Sequence, residues 1–251
     1  MILRRLAKRL LSAVFGEVVG PSLPREVAIQ WRKRSGRFSR FGIDAALERY
    51  MDFDSGFYVE LGANDGVRAS NTYYFELKRG WSGILIEPCP PLYMACRKRR
   101  GKRNAVYCNA CVDFDYDRPY VDMVYAGPMT LSRSLDTDIE DEAAFLERGR
   151  GFLPDGEASF AFGAVASTLM AILDDAGAPA SIDLLSLDVE GAELTVLRGI
   201  DFSRYRFGHI LVECRDLPPL RDFLADRGYE LAEQLTHYDY LFVASSSSLD
   251  D

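Results

Sequence analysis

Apolar positions along this chain follow two rhythms. Short, nearly continuous runs at 57–61, 83–87, 105–110, 182–188 and 209–214 are rich in Val, Ile, Leu and aromatics, as strands covered on both faces of a parallel sheet are. Between them the spacing lengthens to three and four residues, which predicts helices over 71–79, 92–100, 167–177, 192–197 and 220–227. Gly80, Gly177 and Gly228 stand at helix ends, where a residue tolerant of left-handed backbone is wanted. Ser167 opens its helix as a candidate N-cap. Two final runs, "YELAEQL" and "YDYLFVA", flank Thr236 and His237 and predict an antiparallel hairpin.

Alternating strands and helices that close on a hairpin give an α/β fold, an open, mostly parallel sheet with helices on both faces. The chain divides into a helical arm at 1–53, a main domain at 54–245 and a polar tail at 246–251. Between the predicted strands at 105–110 and 182–188 lies an insertion, 113–166, rich in Asp, Glu, Gly, Tyr and Phe. Connections of that length are uncommon unless they act as lids or binding loops, so a loop or lid over a site is expected there.

Composition changes this picture at one end. The net charge is −8, yet the first forty residues hold ten Lys/Arg against two Glu, so the remainder carries −16. "MILRRLAKRLLSAVFGEVVG" interleaves basic and apolar residues as a basic amphipathic helix does, and residues 1–20 suit contact with the inner surface of a membrane. The run "RKRRGKR" at 97–103 reads as a solvated helix end, and with no nucleic-acid-binding motif beside it no nucleic-acid partner is expected. Five cysteines, Cys89, Cys96, Cys108, Cys111 and Cys214, are odd in number and fall in or beside strands. That pattern points to a cytoplasmic setting rather than a disulfide framework.

The chemistry concentrates in "YVELGANDG". In a doubly wound sheet ligands bind at the carboxyl ends of the strands, and the first strand–helix turn supplies the glycines. Gly62 and Gly66 permit close approach, and Asn64 tolerates left-handed backbone. Glu60, inside the strand, suits a cationic ligand and would repel a pyrophosphate. Glu87, at the end of "GILIEP", stands where an acid holds the hydroxyls of an adenosine ribose. The turn reads G-A-N-D-G, not the G-x-G-x-x-G of dinucleotide folds. An adenosine ligand with positive charge and no pyrophosphate fits both acids, which points to S-adenosylmethionine.

These blocks resemble the FkbM-type methyltransferases. The likeness rests on "YVELGANDG" with "SNTYYFE", "GWSGILIEP", "STLMAILDD", and "IDLLSLDVEGAELTVLRGIDF" followed by "ILVEC", in order across 57–214. It implies a Rossmann-like class I methyltransferase fold, a seven-stranded sheet with its last strand antiparallel. It implies an S-adenosylmethionine-dependent O-methyltransferase acting on a sugar hydroxyl of a glycan, glycolipid or glycosylated natural product. A binding protein that kept the fold and lost catalysis is the alternative, with a nucleic-acid methyltransferase behind it. The resemblance carries the methionine end of the cofactor onto Glu60, Gly62, Asn64 and Gly66, and the ribose onto Glu87. Cys111 and Val112 would lie by the adenine, with Asp113 a partner for its amino group.

The sulfonium is an activated methyl donor, so the protein has to align an acceptor oxygen and remove its proton. Asp188 ends the fourth strand, Glu190 follows it and Glu213 ends the fifth, and these are the expected catalytic carboxylates. An alternative for these three is to hold Mg2+, since carboxylates without Cys or His favour that ion. His237 precedes the last strand and reads as a turn residue. Tyr116, Tyr120 and Tyr125 are candidates to stack on sugar faces.

Overall fold

A computed structural model describes residues 36–245. The basic amphipathic helix expected over 1–20 and the tail at 246–251 lie outside the described residues. Among those described, no helix is long and apolar enough to cross a membrane.

The main sheet has seven strands. In chain order its elements are α1 (Ile43–Glu48), β1 (Phe57–Leu61), α2 (Tyr73–Arg79), β2 (Ser82–Ile86), α3 (Pro90–Arg100) and β3 (Ala105–Tyr107). After the insertion come α5 (Leu169–Asp175), β8 (Ser181–Leu187), α6 (Glu193–Leu197), β9 (Arg206–Glu213), α7 (Leu217–Ala225), β10 (Tyr229–Gln234) and β11 (Asp239–Ala244). The strand order is β10-β11-β9-β8-β1-β2-β3. Its pairings are parallel except where β11 runs antiparallel between β10 and β9. The expected sheet, with its antiparallel last strand, is the one observed.

The two-residue period of a strand explains why these runs read as continuously apolar. Val59 and Leu61 of β1, Ile84 and Ile86 of β2, and Ile210 and Val212 of β9 enter one core with Leu169, Ile172 and Leu173 of α5 and Leu220 and Leu224 of α7. Tyr58, Leu85, Leu184, Leu211 and Leu241 face the other way and pack with Leu47 of α1, Phe75 of α2 and Cys96 of α3. The aromatic run at 73–75 is core packing: Phe75 is fully buried and tilted against Trp81 at 4.8 Å between centroids.

Three expectations need correction. The apolar run 105–110 is not one strand. Its first part is β3, the chain leaves the main sheet at Cys108, and β4 (Asn109–Val112) joins a second sheet. Nor is 113–166 a bare loop. It carries β5 (Tyr120–Tyr125), a 3-10 turn, β6 (Leu131–Ser132), α4 (Glu142–Arg150) and most of β7 (Phe160–Thr168). The second sheet runs β4-β7-β5-β6. Val121 and Met123 of β5, Ala164 of β7, and Ala110 and Val112 of β4 make a core of their own. Helix α4 packs Phe145 and Leu146 on Val124 and Leu131. The cap of α5 is Thr168 rather than Ser167, its hydroxyl accepting from the Ala171 nitrogen at 3.1 Å.

Candidate active site

The turn after β1 is held from both sides. Gly62 and Ala63 nitrogens donate to the Ile86 carbonyl, each at 3.1 Å, and Gly66 donates to Ala63 at 2.8 Å. Gly62 has φ 74° and a Cβ there would stand 1.9 Å from the Asp188 carbonyl oxygen, so only glycine lets β1 turn against the end of β8. Asn64 takes φ 50°, and its side-chain oxygen accepts from the Asp65 nitrogen at 2.8 Å. Asp65 in turn accepts from the nitrogens of Val67 and Arg68.

Glu60 is buried beneath this turn, not open to it. Being two residues from Tyr58, it points to the same face, toward α3. One oxygen accepts from Ser70 Oγ at 2.9 Å, Thr72 Oγ1 at 2.6 Å and Arg100 Nη1 at 3.1 Å; the other accepts from the Asn71 nitrogen at 3.0 Å. The sequence reading set Glu60 against the cofactor. The structure commits its carboxylate to four donors of the protein.

Glu87 follows β2 with both oxygens turned to backbone nitrogens, Asn64 at 2.8 Å and Cys89 at 2.9 Å. Burial pushes its carboxyl up to about 7 against the pull of those two N–H groups. Each oxygen retains a lone pair, which a ribose hydroxyl can use. Cys111 and Val112 belong to β4 of the second sheet, and Asp113 follows it. The third strand ends at Tyr107, so the residue at its carboxyl end is Cys108, whose thiol lies 3.8 Å from the Pro88 carbonyl. Cys111 is buried with Leu169 and Ile172. The Val112 carbonyl abuts Gly199, and Asp113 borders a shallow cleft with Phe114, Arg198 and Arg227, near the amino end of β9. The residue that follows the third strand is thus Cys108, three positions before Cys111.

At the ends of β8 and β9 the expected carboxylates do converge. Ligand oxygens of Asp188, Glu190 and Glu213 lie within 4.8 Å of one another. Burial, then the neighbouring Glu213 and Glu190 charges, holds the Asp188 carboxyl well above the usual range. Glu190 is pushed up to about 8 by burial and Glu213, with Arg215 opposing. Glu193 supports the turn, accepting from the nitrogens of Val189 at 3.0 Å and Gly191 at 3.1 Å, and burial raises it to about 7. Glu190 itself has φ 57°.

Sequence reasoning missed Arg215 and Asp138. Arg215 Nη2 donates to Glu190 at 2.9 Å and to Glu213 at 3.3 Å, and its guanidinium lies over Phe145 at 5.1 Å. Asp138, on the insertion, accepts from the Arg215 nitrogen at 2.7 Å, while its own nitrogen donates to the Gly191 carbonyl at 3.0 Å. The insertion thus seats on the acidic end of the main sheet. No local pattern signals this, because the partners are 77 residues apart. The cluster carries its own cation, so a divalent ion would compete with Arg215 for two of its three ligands. His237 is exposed in the hairpin and meets Tyr238 edge-on. Of the tyrosines, Tyr116 donates to the Tyr120 carbonyl, Tyr125 packs on Phe160, and Tyr120 stays exposed.

The residues fit an adenosyl sulfonium compound. The glycine turn gives close approach, Glu87 offers acceptors for a diol, and the neighbouring side chains are acidic where a pyrophosphate would need cations. The likenesses to solved structures are distant. A human methyltransferase 10 domain-containing protein shares 10% identity, with 90% of this chain and 96% of that one covered and a TM-score of 0.48. A methyltransferase from Geobacter sulfurreducens shares 11%, covering 97% and 96%, at 0.45. A methyltransferase from Thiobacillus denitrificans, in complex with S-adenosyl-L-homocysteine, shares 12%, covering 84% and 73%, at 0.34. No curated protein matches the sequence. Residues 60–231 match the methyltransferase FkbM domain, which spans the glycine turn, Glu87 and the carboxylate cluster. The chain belongs to that family, and it is an S-adenosylmethionine-dependent methyltransferase.

Proposed function

We propose that the chain methylates an oxygen, a sugar hydroxyl of a glycan, glycolipid or glycosylated natural product. The observation that carries this reading is the convergence of Asp188, Glu190 and Glu213 where β8 and β9 end, next to the turn at Gly62. A hydroxyl needs a base as its oxygen attacks carbon, and a half-buried carboxylate of raised pKa binds that proton more tightly than an exposed one. Asp188 is assigned that role, being the residue whose carbonyl touches the cofactor turn. Glu190 and Glu213, paired with Arg215, hold and orient the acceptor's other hydroxyls.

The cofactor supplies a methyl group on a sulfonium that needs no further activation. The turn 62–66 receives its methionine end and Glu87 its ribose. The test is methyl transfer from labelled S-adenosylmethionine to a panel of neutral glycans, with Asp188→Asn alongside. A base of this kind is worth about a hundredfold to ten-thousandfold in rate. Asp188→Asn is expected to lose turnover on that scale while binding S-adenosylhomocysteine as the parent does; full turnover in the variant would remove Asp188 from the mechanism.

A further inference from the structure

The basic run at 97–103 reads as a solvated helix end, and for Arg97, Lys98, Lys102 and Arg103 that is what the structure shows. Arg100 is different. Its side chain has no exposed surface. It shares a face of α3 with Cys96, four residues back and equally buried, and that face turns to the underside of the glycine turn.

Every arm of the guanidinium is used. Nε donates to Glu76 at 2.7 Å. Nη1 donates to Glu60 at 3.1 Å, to the Gly66 carbonyl at 3.1 Å and to Ser70 Oγ at 3.0 Å. Nη2 donates to Tyr58 at 2.6 Å and Thr72 at 2.9 Å. Arg99, on the same helix end, donates to the Asp65 carbonyl at 3.0 Å and pairs with the Asp65 carboxylate at 3.3 Å. Two successive carbonyls of the turn, Asp65 and Gly66, thus end on two successive arginines. A planar five-donor fork can reach all these acceptors together; a lysine ammonium cannot.

We infer that Arg100, with Arg99, is a positioning residue for cofactor binding, a clamp that sets the 62–72 segment in its receiving conformation without touching the ligand. This rests on the cofactor assignment alone, not on the identity of the acceptor. Glu60 belongs to the same clamp and acts through Ser70, Asn71 and Thr72. Positive φ at Asn64 and Ala69, neither of them glycine, makes the segment conformationally expensive, so it needs support from behind.

The test separates positioning from plain stability. Arg100→Lys keeps the buried charge and loses the fork. Arg99→Met, on a side chain 22% exposed, leaves the hub intact and keeps the test alive where Arg100→Lys folds poorly. The comparison is Leu224→Ala in α7, which lowers stability through the other core. Calorimetric titration with S-adenosylhomocysteine, well below each protein's unfolding midpoint, is the readout. Losing a hydrogen-bonded support of this kind is expected to weaken binding by about fivefold or more in the arginine variants, with Leu224→Ala binding as the parent does. Parent-like affinity in Arg99→Met and in whichever Arg100→Lys protein folds, or an equal loss in Leu224→Ala, overturns the proposal.

Discussion

The carbonyl oxygen of Asp188 stands 1.9 Å from where a Cβ on Gly62 would be. The cofactor turn and the assigned base are therefore set against each other by backbone, and no rotamer can relieve the contact. Gly62→Ala adds a methyl at positive φ, which costs about 1–2 kcal/mol before any clash is counted. We expect the variant to unfold at clearly lower temperature and to lose S-adenosylhomocysteine binding, as checked by thermal melts with and without ligand.

Glu87 ties the same turn to the end of β2 while keeping a lone pair on each oxygen. Glu87→Gln preserves shape but replaces one acceptor with a donor facing a backbone N–H. The expected result is a folded protein whose S-adenosylhomocysteine affinity is lower by about tenfold or more, since an unmatched buried polar group costs about 1–3 kcal/mol. An unchanged dissociation constant would mean that the ribose lies elsewhere.

Stability should fall as pH rises. Glu190 is raised to about 8, Glu87 and Glu193 to about 7, and Asp239 to about 6. Each folded-state value lies above the unfolded one, so the folded protein holds more protons. The stability they contribute is complete below the unfolded values near 4 and is lost as pH climbs through 6 to 8. Each group contributes at most about 1.4 kcal/mol per pH unit within its own window. Urea unfolding from pH 5 to 8.5 is expected to show the decline, and Glu190→Gln to flatten its upper part.

Arg215 gives the same measurement a second arm. Arg215→Met removes the cation between Glu190 and Glu213. Removing one partner of this half-buried pair costs less than breaking a fully buried one, on the order of 1–3 kcal/mol while Glu190 is ionised. That loss is expected near pH 8.5 and should shrink at pH 5.5, where Glu190 is protonated. A loss independent of pH would show that Arg215 serves by packing on Phe145 and Tyr238 instead.

Much of this was legible in the residues. Strands covered on both faces announce themselves as apolar runs, and the left-handed backbone of the turn after β1 falls on Gly62, Asn64 and Gly66, residue types that tolerate it. Asp188, Glu190 and Glu213 converge because they end neighbouring strands, which sequence order places. The break at Cys108 was hidden because "AVYCNACV" is apolar on both sides of it, and apolarity does not say which sheet receives a strand. "YVDMVY" did carry the alternation of a half-buried strand, with Tyr120 and Asp122 exposed and Val121 and Met123 buried. That was the available sign that the insertion is folded. Arg100 was masked by basic neighbours, and Arg215 has partners that only the tertiary fold supplies.

The insertion leaves and rejoins the domain through strands that are hydrogen-bonded neighbours, Asn109 opposite Val165 and Val112 opposite Thr168. Its two stems are thus spliced side by side, and whatever is carried beyond them leaves the main sheet's pairing untouched. The folded insertion is in that sense a cassette: replacing the chain beyond Val112 and before Val165 exchanges what meets Gly191 and Arg215 while the strands that bear Gly62 and Glu87 stay in register.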